Sequence, residues 1–203
     1  MTAAVRWIVF DLNGTLLDPA AIGADALDEA ILAGMTLNHV GEYRPFPELL
    51  RAALGRRHPA QVDALMEAAA RMPAFPEAEE ALDTLAAAGF ALAVLTNSPT
   101  ATAERGLRAA GLRERFARVV GTDQVGVFKP DPRVYRHGLM ALGAEPGDAT
   151  MVAAHWWDLR GARAAGMRVA WVGRREEALT ALLPDPDASG ADLVAVARAL
   201  TAA

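Results

Sequence analysis

A regular alternation constrains this chain more than any other feature. Short, largely apolar runs at Val5–Phe10, Phe90–Thr96, Arg118–Val120, Ala149–Ala154 and Val169–Val172 are separated by Ala-rich stretches of helical character. Those stretches are Pro76–Ala88, Thr100–Ala110, Asp131–Leu142 and Trp156–Ala165, followed in turn by Gly89, Gly111, Gly143 and Gly166. A glycine just past a helix supplies the left-handed conformation that ends it. Strands apolar on both faces belong in a parallel sheet covered by helices on either side. The alternation therefore predicts an α/β fold: a doubly wound, Rossmann-like parallel sheet with right-handed crossovers.

One stretch breaks the rhythm. Residues 18–75 read as helices without strands, at Asp18–Leu32, Pro47–Leu54 and Pro59–Arg71, punctuated by Gly41, Pro45, Pro47, Gly55 and Pro59. A link between a strand and a helix is normally a handful of residues. The excess predicts a small helical cap domain, residues 18–75, inserted after the first strand, over a core of residues 1–17 and 76–203. Open α/β sheets bind ligands beyond the carboxyl ends of their strands, which such a cap would cover. Near the end, Pro184–Gly190 is turn-rich, and Asp192–Leu200 is a short strand or helix.

Composition narrows the function. Hydrophobic residues make up 53% of the 203 and charged residues 22%, a core-forming balance. A formal net charge of −5 provides no basic field to recruit nucleic acid or an anionic membrane surface. The absence of cysteine removes disulfides, a thiol nucleophile and Cys-ligated zinc. No apolar run approaches the ~18 residues that a membrane span needs. The apolar N-terminal stretch is short and runs straight into Asp11, unlike a cleavable signal. The expectation is a cytoplasmic protein, monomer or homodimer, acting on a small molecule.

The candidate chemistry lies at strand ends. Asp11 closes the first strand in FDLNGTLLD, with the turn residues Asn13 and Gly14 behind it and loop N–H groups able to hold an anion. Thr96, Asn97 and Ser98 end the second strand in LTNS and can hydrogen-bond an oxyanion; Asn97 or Ser98 could equally cap the helix after Pro99. Lys129 in VFKPDP stands in a loop entering a helix. Asp158 in MVAAHWWDLRGA follows a buried strand near the start of a helix, where a carboxylate is stabilised. The remaining histidines, His39, His58 and His137, show no metal-ligand spacing.

The order Asp-x-x-Gly-Thr, Thr-Asn, Lys-Pro, Asp, with a helical insertion after the first motif, resembles the haloacid dehalogenase-like hydrolase superfamily over essentially the whole chain. The resemblance implies that Asp11 is a nucleophile and Thr15 its support. It also implies that Thr96 and Asn97 bind a substrate anion, that Lys129 neutralises the site, and that Asp158 orients Lys129 and water.

Phosphatase members of that superfamily carry an acid two residues after the nucleophile; here Asn13 stands there and cannot deliver a proton. They also bring a further acid to the fourth motif, where this chain has Ala154. Without it a Mg²⁺ cage loses a ligand, although a phosphate dianion approaching an aspartate needs that cation. The segment VAAHWWD…GA…AGM…AWVGR instead is similar to the L-2-haloacid dehalogenase branch, which uses no metal and a monoanionic substrate. By that likeness Phe46, in GEYRPF, and Trp157 wall an apolar pocket, unless they are ordinary core residues. Asn13 and His155 take positions that face the substrate; His155 would hydrogen-bond its carboxylate or serve as a structural histidine. Leu27 falls, by gap-free counting, where the branch places a halide-accepting Arg.

The resulting expectation is metal-independent hydrolysis of small 2-haloacids through an ester on Asp11, with no cofactor. The alternatives are a phosphatase acting on a small phosphomonoester, with Mg²⁺ held by Asp11 and Asp158, and a binding protein that retains the fold.

Overall fold

A computed structural model of the chain describes residues 5–174, 181–182 and 185–202. The strands are β1 (Trp7–Phe10), β2 (Ala91–Thr96), β3 (Arg118–Gly121), β4 (Ala149–Ala153), β5 (Arg168–Val172) and β6 (Ala188–Gly190). They form one sheet in the order β3-β2-β1-β4-β5-β6. Every pairing is parallel, as the apolar runs predict. The order reverses direction at β1, so the carboxyl ends of β1, β2 and β4 border the crevice where doubly wound sheets place ligands.

The core helices are α4 (Ala78–Ala87), α5 (Thr100–Ala109), α6 (Pro132–Leu142), α7 (Trp156–Ala164) and α8 (Leu193–Thr201). Alternate strand residues face opposite sides. Ile8 and Phe10 join the cluster holding Leu82 and Leu85 of α4 and Val196 of α8. Val9, Leu95 and Met151 join Val134 and Tyr135 of α6 and Leu159 of α7 on the other side. The glycines at 89, 111, 143 and 166 all have positive φ, as their place beyond the helices requires.

Between β1 and α4 lie α1 (Ala24–Val40), α2 (Phe46–Arg57) and α3 (Val62–Ala69). The first differs most from its expected span of 18–32. Asp18 accepts from the Ala20 backbone N–H at 2.9 Å and closes a short turn, so the helix begins only after Gly23. It then continues through Gly34, whose missing side chain lets it lie against the Phe128 ring: a Cβ there would come within 3.0 Å. In α2, Gly55 is helical, which carries that element past the expected end at Leu54.

One further correction concerns the C-terminal region. Pro184 lies outside the described residues, but Ala188–Gly190, read from sequence as turn, is a sixth strand paired to β5. Of the strand or helix expected at Asp192–Leu200, the structure has the helix: Asp192 caps α8 by accepting from the Ala195 N–H at 2.7 Å. Among the described residues no helix is long and apolar enough to cross a membrane.

Candidate active site

Asp11 leaves β1 with its N–H still donating to Val152 of β4, 3.0 Å away, so the strand carries the carboxylate rigidly into the crevice. The chain then turns at Gly14, φ 84°, and returns Thr15 beneath the acid. The Thr15 hydroxyl donates to Asp11 Oδ2 at 2.9 Å and accepts from the Ala154 N–H at 3.1 Å. One side chain thus ties the ends of β1 and β4 together.

Lys129 is fully buried. Its backbone N–H donates to Asn97 Oδ1 at 2.8 Å, and its Nζ donates to Asp11 Oδ1 at 3.1 Å and to Asp158 Oδ2 at 2.8 Å. Asn97 therefore positions the lysine. Asp158 lies in the first turn of α7 and is itself fully buried. Its second oxygen is taken by Tyr135 of α6, whose hydroxyl approaches Asp158 Oδ1 at 2.7 Å and the Asp158 carbonyl at 3.0 Å.

Burial disfavours every charge here, and the partners decide each outcome. For Asp11 burial opposes the anion, but the Lys129 charge and a hydrogen bond from His155 overcome it, and the carboxyl is held well below its usual range. Burial likewise works against the Lys129 ammonium, yet two flanking carboxylates raise its pKa. Asp158 moves the opposite way from Asp11: burial raises its carboxyl despite Lys129, and the Asp11 charge adds to that. Tyr135 is raised well above its ordinary value, first by burial and then by the Asp158 charge. It is a hydrogen-bond donor locked in its neutral form. The cluster presents an ionised Asp11 backed by a permanent cation.

In front of Asp11 is a cavity of about 10 Å³ lined by Asp11, Asn13, Leu27, Ile31, Phe46, Thr96, Asn97, His155 and Trp157. All the residues expected to contact substrate stand on its wall, and Thr15, Lys129 and Asp158 lie behind it. Leu27 is on the wall as well, so no basic side chain occupies that position. His155 Nδ1 is 3.3 Å from Asp11 Oδ2, and its ring packs against Trp157 with centroids 5.2 Å apart. The Thr96 hydroxyl accepts from the Ser98 N–H at 3.2 Å. Ser98 does not cap α5: Pro99 holds the cap position, and Asp123 accepts from the Thr100 N–H at 2.8 Å instead.

Sequence reasoning missed two contributors. Tyr135 sits inside an amphipathic helix, where an aromatic residue has the pattern of core. The available signal was Gly161, inside α7, where a Cβ would come within 2.6 Å of the Tyr135 hydroxyl. Asn38 of α1 is the other: it accepts from the Phe128 N–H at 2.9 Å and donates to the Phe128 carbonyl at 2.7 Å. The insertion thus grips the residue preceding Lys129.

The donor set does not suit Mg²⁺. Ala154 stands where a further acid would be needed, and the Lys129 ammonium already lies between Asp11 and Asp158. Among the described residues no group of three or more His, Cys, Asp or Glu side chains is arranged to hold a metal ion.

Comparison with known proteins agrees with this geometry. Residues 5–166 match the haloacid dehalogenase-like hydrolase family. A phosphoserine phosphatase of Thermus thermophilus is 40% identical over 150 residues, 72% of this chain; the match spans 58% of that relative's length. An (S)-2-haloacid dehalogenase of Pseudomonas sp. is 30% identical over 193 residues, 84% of this chain and 85% of the relative. A solved L-2-haloacid dehalogenase superposes with a TM-score of 0.89 at 26% identity, covering 99% of this chain and 100% of the other. A parallel sheet, a strand-end aspartate backed by a buried lysine, and the match over residues 5–166 lead to one assignment: the chain belongs to the haloacid dehalogenase-like hydrolase family.

Proposed function

We propose that this hydrolase is a metal-independent dehalogenase of small 2-haloacids, with residues 18–75 acting as its cap. The observation that carries the reading is the Lys129 ammonium lying 3.1 Å from Asp11 Oδ1 and 2.8 Å from Asp158 Oδ2, with Ala154 bringing only its N–H, to Thr15. Beside that one cation a monoanionic haloacid adds a single negative charge, where a phosphate dianion would add two and be repelled more strongly by Asp11. A carboxylate oxygen of Asp11 attacks C2, the carbon–halogen bond breaks, and the halide leaves with the electron pair. The substrate carboxylate is held by the amides of Asn13 and Asn97 and the Thr96 hydroxyl. Leu27, Phe46 and Trp157 exclude water around the carbon under attack. Hydrolysis of the Asp11 ester then yields a 2-hydroxy acid.

A cavity of about 10 Å³ has room for about one water, so even a two-carbon acid enters only when the apolar wall moves outward. This supports a preference for two- and three-carbon acids. The likeness to a phosphoserine phosphatase favours a second reading, phosphomonoester hydrolysis. A panel of small haloacids and phosphomonoesters, each with and without chelator, separates the two. Halide release that survives chelator supports dehalogenation. Phosphate release that is abolished by chelator and restored by Mg²⁺ contradicts it.

A further inference from the structure

Within the dehalogenase reading, a haloacid has to reach a cavity of about 10 Å³ whose wall is nearly closed. Of the nine described residues that line it, seven are buried, and Asn13 and Trp157 are half-buried. Asn13 belongs to a backbone turn in which the Gly14 N–H donates to the Leu17 carbonyl at 2.8 Å. Trp157 is held by packing: its ring lies on His155, with centroids 5.2 Å apart, and against the apolar cluster that contains Leu27 and Phe46. Of the two, the indole is the part of the wall that side-chain rotation alone can move.

Beyond Trp157 lies a second, larger space. It measures about 340 Å³, within the range of small-molecule sites, and opens between α1 and the start of α7. Asp28, Ile31, Leu32 and Met35, which the helical repeat brings to one face of α1, form one side; Ala154, His155, Trp156 and Trp157 form the other. Exposure falls across this lining. Asp28 and Leu32 are exposed, Leu32 by 63%; Met35, Trp156 and Trp157 are half-buried; Ile31, Ala154 and His155 are buried. The buried end adjoins the nucleophile. Ile31, His155 and Trp157 line both spaces, and the Ala154 N–H donates to Thr15, which itself donates to Asp11. The outer space is thus a funnel with its mouth at Leu32 and its floor against the site of Asp11. Its apolar lining suits a halogenated carbon. With Asp28 at the mouth and no Lys or Arg among the described lining residues, it passes an anion on rather than holding it.

We propose that the outer cavity is the passage by which the haloacid reaches Asp11 and the hydroxy acid leaves, with the Trp157 indole as its gate. This route rests on the dehalogenase reading. In the closed position the ring lies on His155 and, with Ile31 of α1, separates the two spaces. Turning the indole into the outer cavity merges them and gives a two- or three-carbon acid its room above Asp11. The gate then closes over the bound acid, so Trp157 limits the size of acid that the closed site accepts.

The chain has no cysteine, so one introduced thiol is labelled alone. Leu32→Cys places that thiol at the mouth. Val40→Cys, at an exposed residue ending α1 that lines neither space, is the control. Each full-length variant is treated with methyl or benzyl methanethiosulfonate, and chloride release from 2-chloropropionate is followed. The benzyl label on Leu32→Cys is expected to lower kcat/KM by roughly tenfold or more, the methyl label by less, and dithiothreitol should restore both. The same labels on Val40→Cys should change little. Trp157→Ala, which removes the gate, should raise kcat/KM for 2-chlorohexanoate relative to 2-chloropropionate by roughly tenfold or more. A benzyl-labelled Leu32→Cys that turns over like the unlabelled variant overturns the passage, as does an equal loss in labelled Val40→Cys. An unchanged ratio in Trp157→Ala overturns the gate. Wild-type protein that frees no chloride overturns the dehalogenase reading itself, an outcome distinct from normal chloride release that ignores the label.

Discussion

The strand ends and the helices of residues 18–75 meet at one small cavity, and they contribute to it in opposite ways. From the core come Asp11 just beyond β1, Thr15 in the turn after it, Lys129 in the loop before α6 and Asp158 in the first turn of α7, joined by Tyr135 into a buried network. From the helices come Leu27, Ile31 and Phe46, which bring contact area and no charge. Direct hydrogen bonds hold the first group together, whereas the second is anchored through side-chain packing. Phe128 carries much of that anchoring: its backbone is held by Asn38, and its ring packs against Tyr43, Phe46 and Gly34. The difference separates two tasks. Under the proposed function, chemistry lies with the hydrogen-bonded network and selection of the substrate with the packed wall.

That division predicts unequal consequences. Replacing Asp11 by Asn keeps shape and removes the anionic nucleophile, so kcat should fall by roughly 1,000-fold or more. Near-normal turnover would break the assignment of chemistry to the network. Lys129→Met strands two buried carboxylates without their cation, and urea unfolding should show a loss of about 3–5 kcal/mol. Adding Asp158→Asn to that variant should recover part of the loss. Tyr135→Phe removes a donor from a fully buried carboxylate; about 1–3 kcal/mol of stability should go, with a fall in kcat. On the insertion side the effects should be smaller and of another kind. Asn38→Ala should cost about 1–2 kcal/mol and raise KM more than it lowers kcat, because it loosens the wall without touching the network. A kcat loss in Asn38→Ala as large as that in Tyr135→Phe would erase the distinction.

The two regions also differed in how readily their sequence could be read. Asp11, Thr96 and Asn97 stand at the ends of buried apolar strands, a position that directs side chains toward the crevice, and Asp158 follows another such strand in the first turn of a helix. Lys129 had weaker local support, and it became a candidate through its place in the motif order. Tyr135 left almost no trace, because an amphipathic helix disguises a buried hydroxyl as core and only the close approach of Gly161 betrays it. Asn38 was hidden for a different reason: its partner is the backbone of Phe128, ninety positions away in the chain. The extent of α1 depended on the same contact, since Gly34 ceases to be a helix breaker only once an aromatic ring lies against it. β6 was invisible because three small residues become a strand only by pairing with β5.

Acid titration offers a further check on the network. The Asp11 carboxyl is held below its ordinary range, first against burial and then by Lys129 and His155. A depressed folded-state value contributes stability above the ordinary carboxylate range and loses it progressively as pH falls below about 4. Asp11→Asn should therefore unfold with a shallower dependence on pH in that window than the wild-type protein.

The covalent route through Asp11 is tested most directly by a single turnover of 2-chloropropionate in oxygen-18 water, with protein in excess and chelator present. Attack by Asp11 followed by hydrolysis at its Cγ predicts one heavy oxygen in the peptide containing Asp11 and an unlabelled hydroxyl in the first 2-hydroxy acid released. Label in the product hydroxyl with an unlabelled Asp11 would mean that water attacks the substrate carbon itself, and would contradict the account.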